Sequence, residues 1–355
     1  MAVVVVLVLS LGISVGRALL APGTDSVAAR LAEWARFHGL GWVVITAERA
    51  QYNATKPTTG GTVTGGVPTV GTTPRPSAQV VQRLAPIEPV AAGYLAGEGQ
   101  WQTVTSVGGS PAIEAAFLRP DAQHTSYLVA VVHMDPKRLR FVLHPGYHVP
   151  GGQSLWTQQD QIPQNQLGTV LATFNSGFTI VDANGGYWQG GHEIAPLRKG
   201  AASMVLRQDG TIDVQAWPGG TPAAGVDAVR QNLVLLIDKG KINPAVYNPT
   251  TSVWGKTVGN ATFVWRTAIG VRADGSVIFV VGPALDVPTL ATLLQRAGAV
   301  RAMELDINRD WTNFLTYAHP SPGMAVPHQL TYDSSINPYR YLNPSSRDFV
   351  AVLPR

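Results

Sequence analysis

Four oxygen-bearing side chains, Glu304, Asp306, Asn308 and Asp310, stand at every second position where the apolar stretch AVRAMELD gives way to INRDW. If that stretch is a strand, side chains alternate between its faces, so Glu304 and Asp306 share one face while Arg301, Met303 and Leu305 share the other. Carboxylates two residues apart then have Cα atoms roughly 6.5 to 7 Å apart. That spacing serves an acid/base pair, since glycosidases hold paired carboxyls about 5 to 9.5 Å apart. With Asn308 it also gives the oxygen-only donor set that suits a hard cation, Ca2+ or Mg2+. Acidic residues at a strand end are also commonly caps or ion-pair partners, and the local spacing leaves all three uses open.

A second apolar run, VLATF, ends on Asn175, Ser176 and Gly177. Gly177 permits close backbone approach and Asn175 offers an amide for a sugar hydroxyl; the same residues also suit an ordinary turn. The glycine-rich stretch DANGGYWQGGHEI carries Trp188 and His192, a pairing that suits the wall of a polar ring site, although most tryptophans are core residues. It is no phosphate-binding loop, because the P-loop lysine and spacing are missing. Arg266, at the start of RTAIGVRADG, offers a guanidinium for bidentate phosphate contact or for a surface ion pair.

Several chemistries have no foothold. The chain has no cysteine, hence no thiolate nucleophile and no disulfide. Its eight histidines form neither H-x-x-x-H on a helix nor H-E-x-x-H, and there is no nucleophile elbow, dinucleotide fingerprint or kinase motif set. A net charge of +4 without a basic run does not point to nucleic acid.

Charged residues are only 14% of the 355, against 45% apolar, with 37 glycines and 26 prolines, which predicts a turn-rich globular protein. From residue 80 onward short apolar runs meet at Asp-Gly, Asp-Pro or Lys-Gly turns, in YLVAVVHMDPKRLRFVLH, SMVLRQDGTIDVQAW, NLVLLIDKGKI and TAIGVRADGSVIFVVG. Each predicts a hairpin. One helix interrupts them, LDVPTLATLLQRAG, with Asp286 as cap, Pro288 in the first turn and Gly298 as stop. The fold class expected is α+β, a mixed, largely antiparallel sheet domain with few helices, over residues 80–355.

Upstream, residues 1–22 are almost wholly apolar and uncharged as far as Gly16, which predicts a membrane anchor or signal-like segment and an extracytoplasmic body; Arg17 lies beyond the apolar run. Residues 23–52 predict a stalk helix. Residues 53–79, nearly all Thr, Gly, Pro, Val and Ala, predict a linker.

Taken in order, VLATFNSGF, NLVLLIDKGKI, RTAIGVRADGSVIFVVG and LATLLQRAGAVRAMELD resemble the phosphodiester glycosidase family. The resemblance places Asn175, Gly177 and Phe178, Arg266 and Gly270, and Leu305 and Asp306 on the family's motif positions. It implies hydrolysis of a sugar-1-phosphate diester at the anomeric carbon of a glycoconjugate. Asp306 and Glu304 would then be the catalytic pair, Arg266 the phosphate anchor, and Asn175, Gly177, Asn308, His192 and Trp188 the substrate contacts. Ca2+ or Mg2+ at Glu304, Asp306 and Asn308 stays the one open cofactor reading. The family continues from this Asp in glycines, whereas this chain continues as Ile307, Asn308, Arg309, Asp310 and Trp311. A non-catalytic glycan-binding module of the cell envelope is the alternative, and a purely structural envelope protein a third reading. Neither substrate sugar nor oligomeric state is fixed by these residues.

Overall fold

A computed structural model describes residues 2–71, 84–248, 253–255, 262–331 and 336–355. It is an α+β protein. The largest sheet has eight strands in the spatial order Gln102–Val107, Ser110–Leu118, Val129–Met134, Val277–Leu285, Val264–Arg272, Ala299–Glu304, Leu235–Asp238 and Lys241–Ile242. A five-stranded sheet runs His192–Ala195, Tyr187–Gln189, Val226–Gln231, Ala202–Arg207, Ile212–Ala216, and another Val326–Gln329, Phe314–Ala318, Ala172–Asn175, Phe349–Pro354, Leu139–His144. Every strand pair assigned is antiparallel; two isolated bridges are parallel.

Three of the four expected hairpins form, at Asp209-Gly210, Lys239-Gly240 and Asp274-Gly275. The fourth does not. Val129–Met134 and Leu139–His144 flank the Asp135-Pro136 turn but enter different sheets, so this turn is a corner between layers. An apolar run on each side of a turn reports burial, and both strands are buried, but it does not report which strand each will meet.

The large sheet is covered on both faces. Val132, Ile269, Phe279 and Met303 pack into a core with Phe174, Phe314 and Val350 of the neighbouring sheet. Val131, Ala268, Ile278, Val280 and Ala302 pack on the other side against the one helix of this region. That helix forms where expected, Val287–Arg296, because Asp286 accepts a hydrogen bond from the Thr289 backbone N–H at 2.8 Å and Gly298 stops it at φ +88°. Leu290, Leu293 and Leu294 put one stripe against the sheet, each burial stabilising by about 1.5–3 kcal/mol.

The N-terminal region holds α1 (Ala2–Leu19) and, where one stalk helix over 23–52 was expected, two helices, α2 (Val27–Phe37) and α3 (Gly41–Thr55). Gly39, at φ +75°, separates the last two. The segment expected over 1–22 as a membrane anchor or signal-like stretch forms α1. α1 is 18 residues long with Arg17 in its last turn, about 27 Å against the roughly 30 Å of a bilayer core. Among the described residues no helix is long and apolar enough to cross a membrane. α1 packs on α2, where Trp34 Nε1 donates to Ser14 Oγ at 2.9 Å, and Arg30 clamps the intervening turn through the carbonyls of Leu19, Gly23 and Asp25.

The described part of the expected linker lies on the domain. Val67 and Val70 pack against the main core, and Gly60 N donates to Gln123 O at 2.6 Å. Two valines and a few backbone hydrogen bonds suffice for this in a composition too polar for a core of its own. Residues 72–79 of that linker, and 80–83 of the domain expected after it, lie outside the described residues.

Candidate active site

The stretch after Met303 is positioned by the central strand Val264–Arg272. Ala268 pairs with Glu304, and two further backbone bonds, Leu305 N to Thr267 O and Thr267 N to Asp306 O, both 2.8 Å, carry the ladder past the strand end. Neighbouring side chains on a strand point to opposite faces, so Arg266 and Thr267 lead to two separate clusters.

On the helix side, Arg266 meets Glu304: Nη1 donates to Oε1 at 2.5 Å, Nε to the Leu285 carbonyl at 2.8 Å and Nη2 to the Thr262 carbonyl at 3.2 Å. All three nitrogens are engaged and both residues are buried. Burial raises the Glu304 pKa and the Arg266 charge opposes it. This is a structural ion pair. The expected role of Arg266 as a phosphate anchor, and of Glu304 as partner to Asp306, is not what the geometry provides: the carboxylate has its own cation, sealed from solvent.

On the other side Thr267 is the hub. Its Oγ1 accepts from Asn175 Nδ2 at 2.9 Å and from the Asp306 backbone N–H at 3.1 Å. Asn175, last residue of its strand, also accepts from Asn313 N at 3.3 Å through Oδ1. Its amide therefore ties two sheets together at a buried position, where a sugar contact was expected. Gly177 has a comparable reason: a Cβ there would meet Arg230 Nη2 at 3.2 Å and Asn232 Oδ1 at 3.3 Å. Arg230 is itself paired with Asp348 at 2.6 Å, both fully buried. Asn232 spans the site, accepting from Phe178 N and donating to the carbonyls of Glu304 and Leu305.

Beyond Leu305 the alternation stops. Asp306 Oδ1 accepts from the backbone N–H groups of Ile307 at 2.7 Å and Asn308 at 2.9 Å, and Asn308 Oδ1 accepts from Asp310 N at 2.9 Å. The every-second-residue oxygens are thus consecutive Asx turns rather than one face of a strand. These turns form where the resembling family has glycines. The set Glu304, Asp306 and Asn308 does not fit a Ca2+ or Mg2+ site either, since Glu304 faces Arg266 and the other two side chains bind their own loop. Among the described residues no group of three or more His, Asp or Glu side chains is placed to hold a metal ion.

Asp306 is the side chain left with chemical potential. Burial drives its pKa from the ordinary 3.8 to about 6; the charge of Arg347 and the two backbone donors pull it down, and Asp182 pushes it up. Arg347 lies against the ring of Trp311, its Cζ 4.6 Å from the centroid, and Arg340 does the same at 4.6 Å. Neither arginine was singled out in the sequence. Arg340 opens a short 3-10 helix and Arg347 precedes the last strand, neither within a motif, and Trp311 is the ring they share.

Trp188 and His192 belong elsewhere. Trp188 packs on the cluster of Val205, Trp217 and Val229, and exposed His192 sets its ring edge-on to Trp156 at 6.3 Å. The sequence signal for them was composition alone.

Residues 167–306 match the family model described as phosphodiester glycosidase. The matched stretch contains Asn175, Gly177, Arg266, Glu304 and Asp306, and stops short of Arg340 and Arg347. Among solved structures, the zebrafish N-acetylglucosamine-1-phosphodiester alpha-N-acetylglucosaminidase catalytic domain, auto-inhibited by pro-peptide, is similar at 17% identity over 72% of this chain and 88% of that one, with a TM-score of 0.44. A hypothetical protein from Synechocystis is similar at 14% identity over 72% of this chain and 64% of that one, with a TM-score of 0.38. No curated protein matches the chain.

Proposed function

We propose that the chain is a hydrolase of the phosphodiester glycosidase type, cleaving a sugar-1-phosphate diester at the anomeric carbon. One observation carries the reading: within the stretch that matches the family, Asp306 lies just past a strand end, held by the backbone N–H groups of Ile307 and Asn308, with a pKa raised to about 6 by burial. Near neutral pH such a carboxyl exists in both forms. Protonated, it donates to the departing phosphate oxygen; ionised, it steadies the oxocarbenium-like charge that develops at the anomeric carbon. Water supplies the new anomeric hydroxyl, and the other product is a phosphate monoester. Thr267 and Asn232 hold the backbone on either side of this carboxyl, so they are positioning residues.

The test is turnover of chromogenic sugar 1-phosphodiesters by the full chain. Release of chromophore that disappears in Asp306→Asn, with the fold retained by circular dichroism, supports the hydrolase. Unchanged turnover in that variant rejects Asp306 as the acting group. The glycan-binding module stays as a second reading because Glu304 is locked to Arg266, leaving one carboxyl where glycosidases use two. It predicts saturable glycan binding by the wild-type chain with no turnover.

We further propose an extracytoplasmic, membrane-attached location. Its support is α1, which exposes Val6, Leu9, Leu11 and Ile13 at 53–60%, apolar surface suited to a membrane. Co-sedimentation with anionic lipid vesicles should be lost when these four become Ser, and equal co-sedimentation of that variant would overturn the attachment. An inactive alkaline phosphatase fusion would overturn the location.

A further inference from the structure

We propose that the cleft between α1, α2 and the Tyr147-His148 turn is a binding site for an acidic saccharide, with Phe37 and His148 receiving its rings and Arg17 its carboxylate. The inference stands apart from the hydrolase reading. Every described residue that lines the cleft lies outside residues 167–306, the stretch matching the family, and Asp306 is not among them.

The rings come first. The cleft measures about 790 Å3, within the range of about 300–1,000 Å3 usual for ligand pockets. α2 brings Trp34 and Phe37 to it, three residues apart and so on one side of the helix, and the turn adds Tyr147 and His148. Ring centroids of Phe37 and His148 lie 6.1 Å apart and those of His148 and Tyr147 4.8 Å apart, which makes one array across the two elements. Two rings are pinned by their own polar tips: Trp34 Nε1 donates to Ser14 Oγ and Tyr147 OH to the Pro22 carbonyl, both at 2.9 Å. Their orientation is therefore set before a ligand arrives. Phe37 is left 69% exposed, a large apolar ring facing solvent.

The polar groups come second. Asp25 and Glu33 border the cleft but are already paired, with Arg340 at 3.0 Å and Arg347 at 2.9 Å, and Arg30 is occupied by three backbone carbonyls. Arg17, exposed in the last turn of α1, has no hydrogen-bond or ion-pair partner among the described residues, and the ring nitrogens of exposed His148 have no hydrogen-bond partner there either. The unanswered charge of the lining is positive.

These two features select the ligand. A sugar ring has an apolar C–H face that lies on an aromatic ring and hydroxyls around its rim that reach a free imidazole, and a guanidinium without a partner takes a carboxylate in a charge-assisted pair. An acyl chain fits less well, because it would strip water from Arg17 and His148 and return no hydrogen bond. A saccharide carrying a carboxylate answers every group left open.

Titration calorimetry of the full chain with trigalacturonate, and with maltotriose as its neutral counterpart, tests this. Trigalacturonate should bind about tenfold more tightly than maltotriose, and Arg17→Gln should remove that difference. Phe37→Ala should weaken both by about tenfold, while Asp306→Asn should change neither. Both Arg17 and Phe37 are exposed, so these variants keep the fold. No saccharide binding by the wild-type chain, binding unchanged in Phe37→Ala, or binding lost in Asp306→Asn overturns the site, as does uptake of dodecylphosphocholine in place of either sugar. A second readout needs no variant: trigalacturonate should slow carbethoxylation of His148 by diethyl pyrocarbonate, followed by mass spectrometry, and leave exposed His192 reacting as before; an equal rate at His148 counts against the cleft. Saccharide binding here without phosphodiester turnover would reject the hydrolase and leave this site standing, whereas turnover in a chain that binds neither sugar would do the reverse.

Discussion

Two acidic residues one position apart from being neighbours, Glu304 and Asp306, end in opposite circumstances. Glu304 is the last residue of its strand, shares the helix-side face with Arg266, and meets a guanidinium whose every nitrogen is bound. Asp306 sits just after the strand, turns on its own backbone, and is influenced by Arg347, a cation that keeps an unmatched nitrogen. Both carboxylates are buried, but one is locked in an ion pair and the other is held by backbone N–H groups. The ion pair serves stability and the unpaired carboxyl is the one assigned to chemistry, so mutations at the two positions should separate in what they damage.

The largest effect is expected at Asp306. Asp306→Asn should lower turnover of sugar 1-phosphodiesters by about 10²- to 10⁴-fold, with little change in melting temperature; loss of turnover no greater than in Glu304→Gln would erase the contrast. Next comes the ion pair. Glu304→Ala or Arg266→Ala leaves an unpaired buried charge and should cost about 3–5 kcal/mol in urea unfolding, whereas Arg266→Met/Glu304→Leu together should restore most of it. A cost below about 1 kcal/mol for either single change would show the pair to be solvated after all.

A smaller effect tests the hub between them. Thr267→Val strands the Asn175 amide and the Asp306 backbone N–H, for about 1–3 kcal/mol of stability. If unfolding of that variant matches wild type, the tie between the two sheets is not what holds Asp306 in place.

The smallest signal is the pH dependence of stability, because two buried groups oppose each other. His144 is lowered from the ordinary 6.5 to about 4 by burial, so the folded state binds fewer protons and stability is lost as pH falls through that window. Asp306 is raised from 3.8 to about 6, so the folded state binds more protons and its contribution, full below about 4, is lost as pH rises towards 6. The slopes partly cancel in the wild-type chain. Melting temperatures of Asp306→Asn between pH 4 and 7 should fall more steeply on acidification than wild type; parallel curves would mean that Asp306 does not titrate there.

Much of the frame was legible. Asp-Gly and Lys-Gly turns between β-branched runs gave three hairpins, and Asp286 with Gly298 bounded the one helix of the sheet domain, because turn chemistry and capping act within a few residues. Face alternation also worked as far as Glu304, which does share a face with Arg266. It failed at Asp306 because an Asp side chain can capture the backbone N–H two residues on and end the extended run. The corner at Asp135-Pro136 failed for a different reason: the local pattern encodes burial on both sides and says nothing of the partner strand.

By itself, then, the chain's order of residues determined the elements, their turns and the motif sequence that resembles phosphodiester glycosidases, all of them products of short-range sterics, hydrogen bonding and apolar patterning. Only the tertiary structure decided which carboxylate is locked in an ion pair and which is not, and that Arg340 and Arg347 both stack on Trp311. Glu33 reaches Arg347 from 314 residues away and Asp25 reaches Ser346 from 321. Electrostatics and hydrogen bonding act through space, so a side chain's protonation and partners depend on what folding brings beside it.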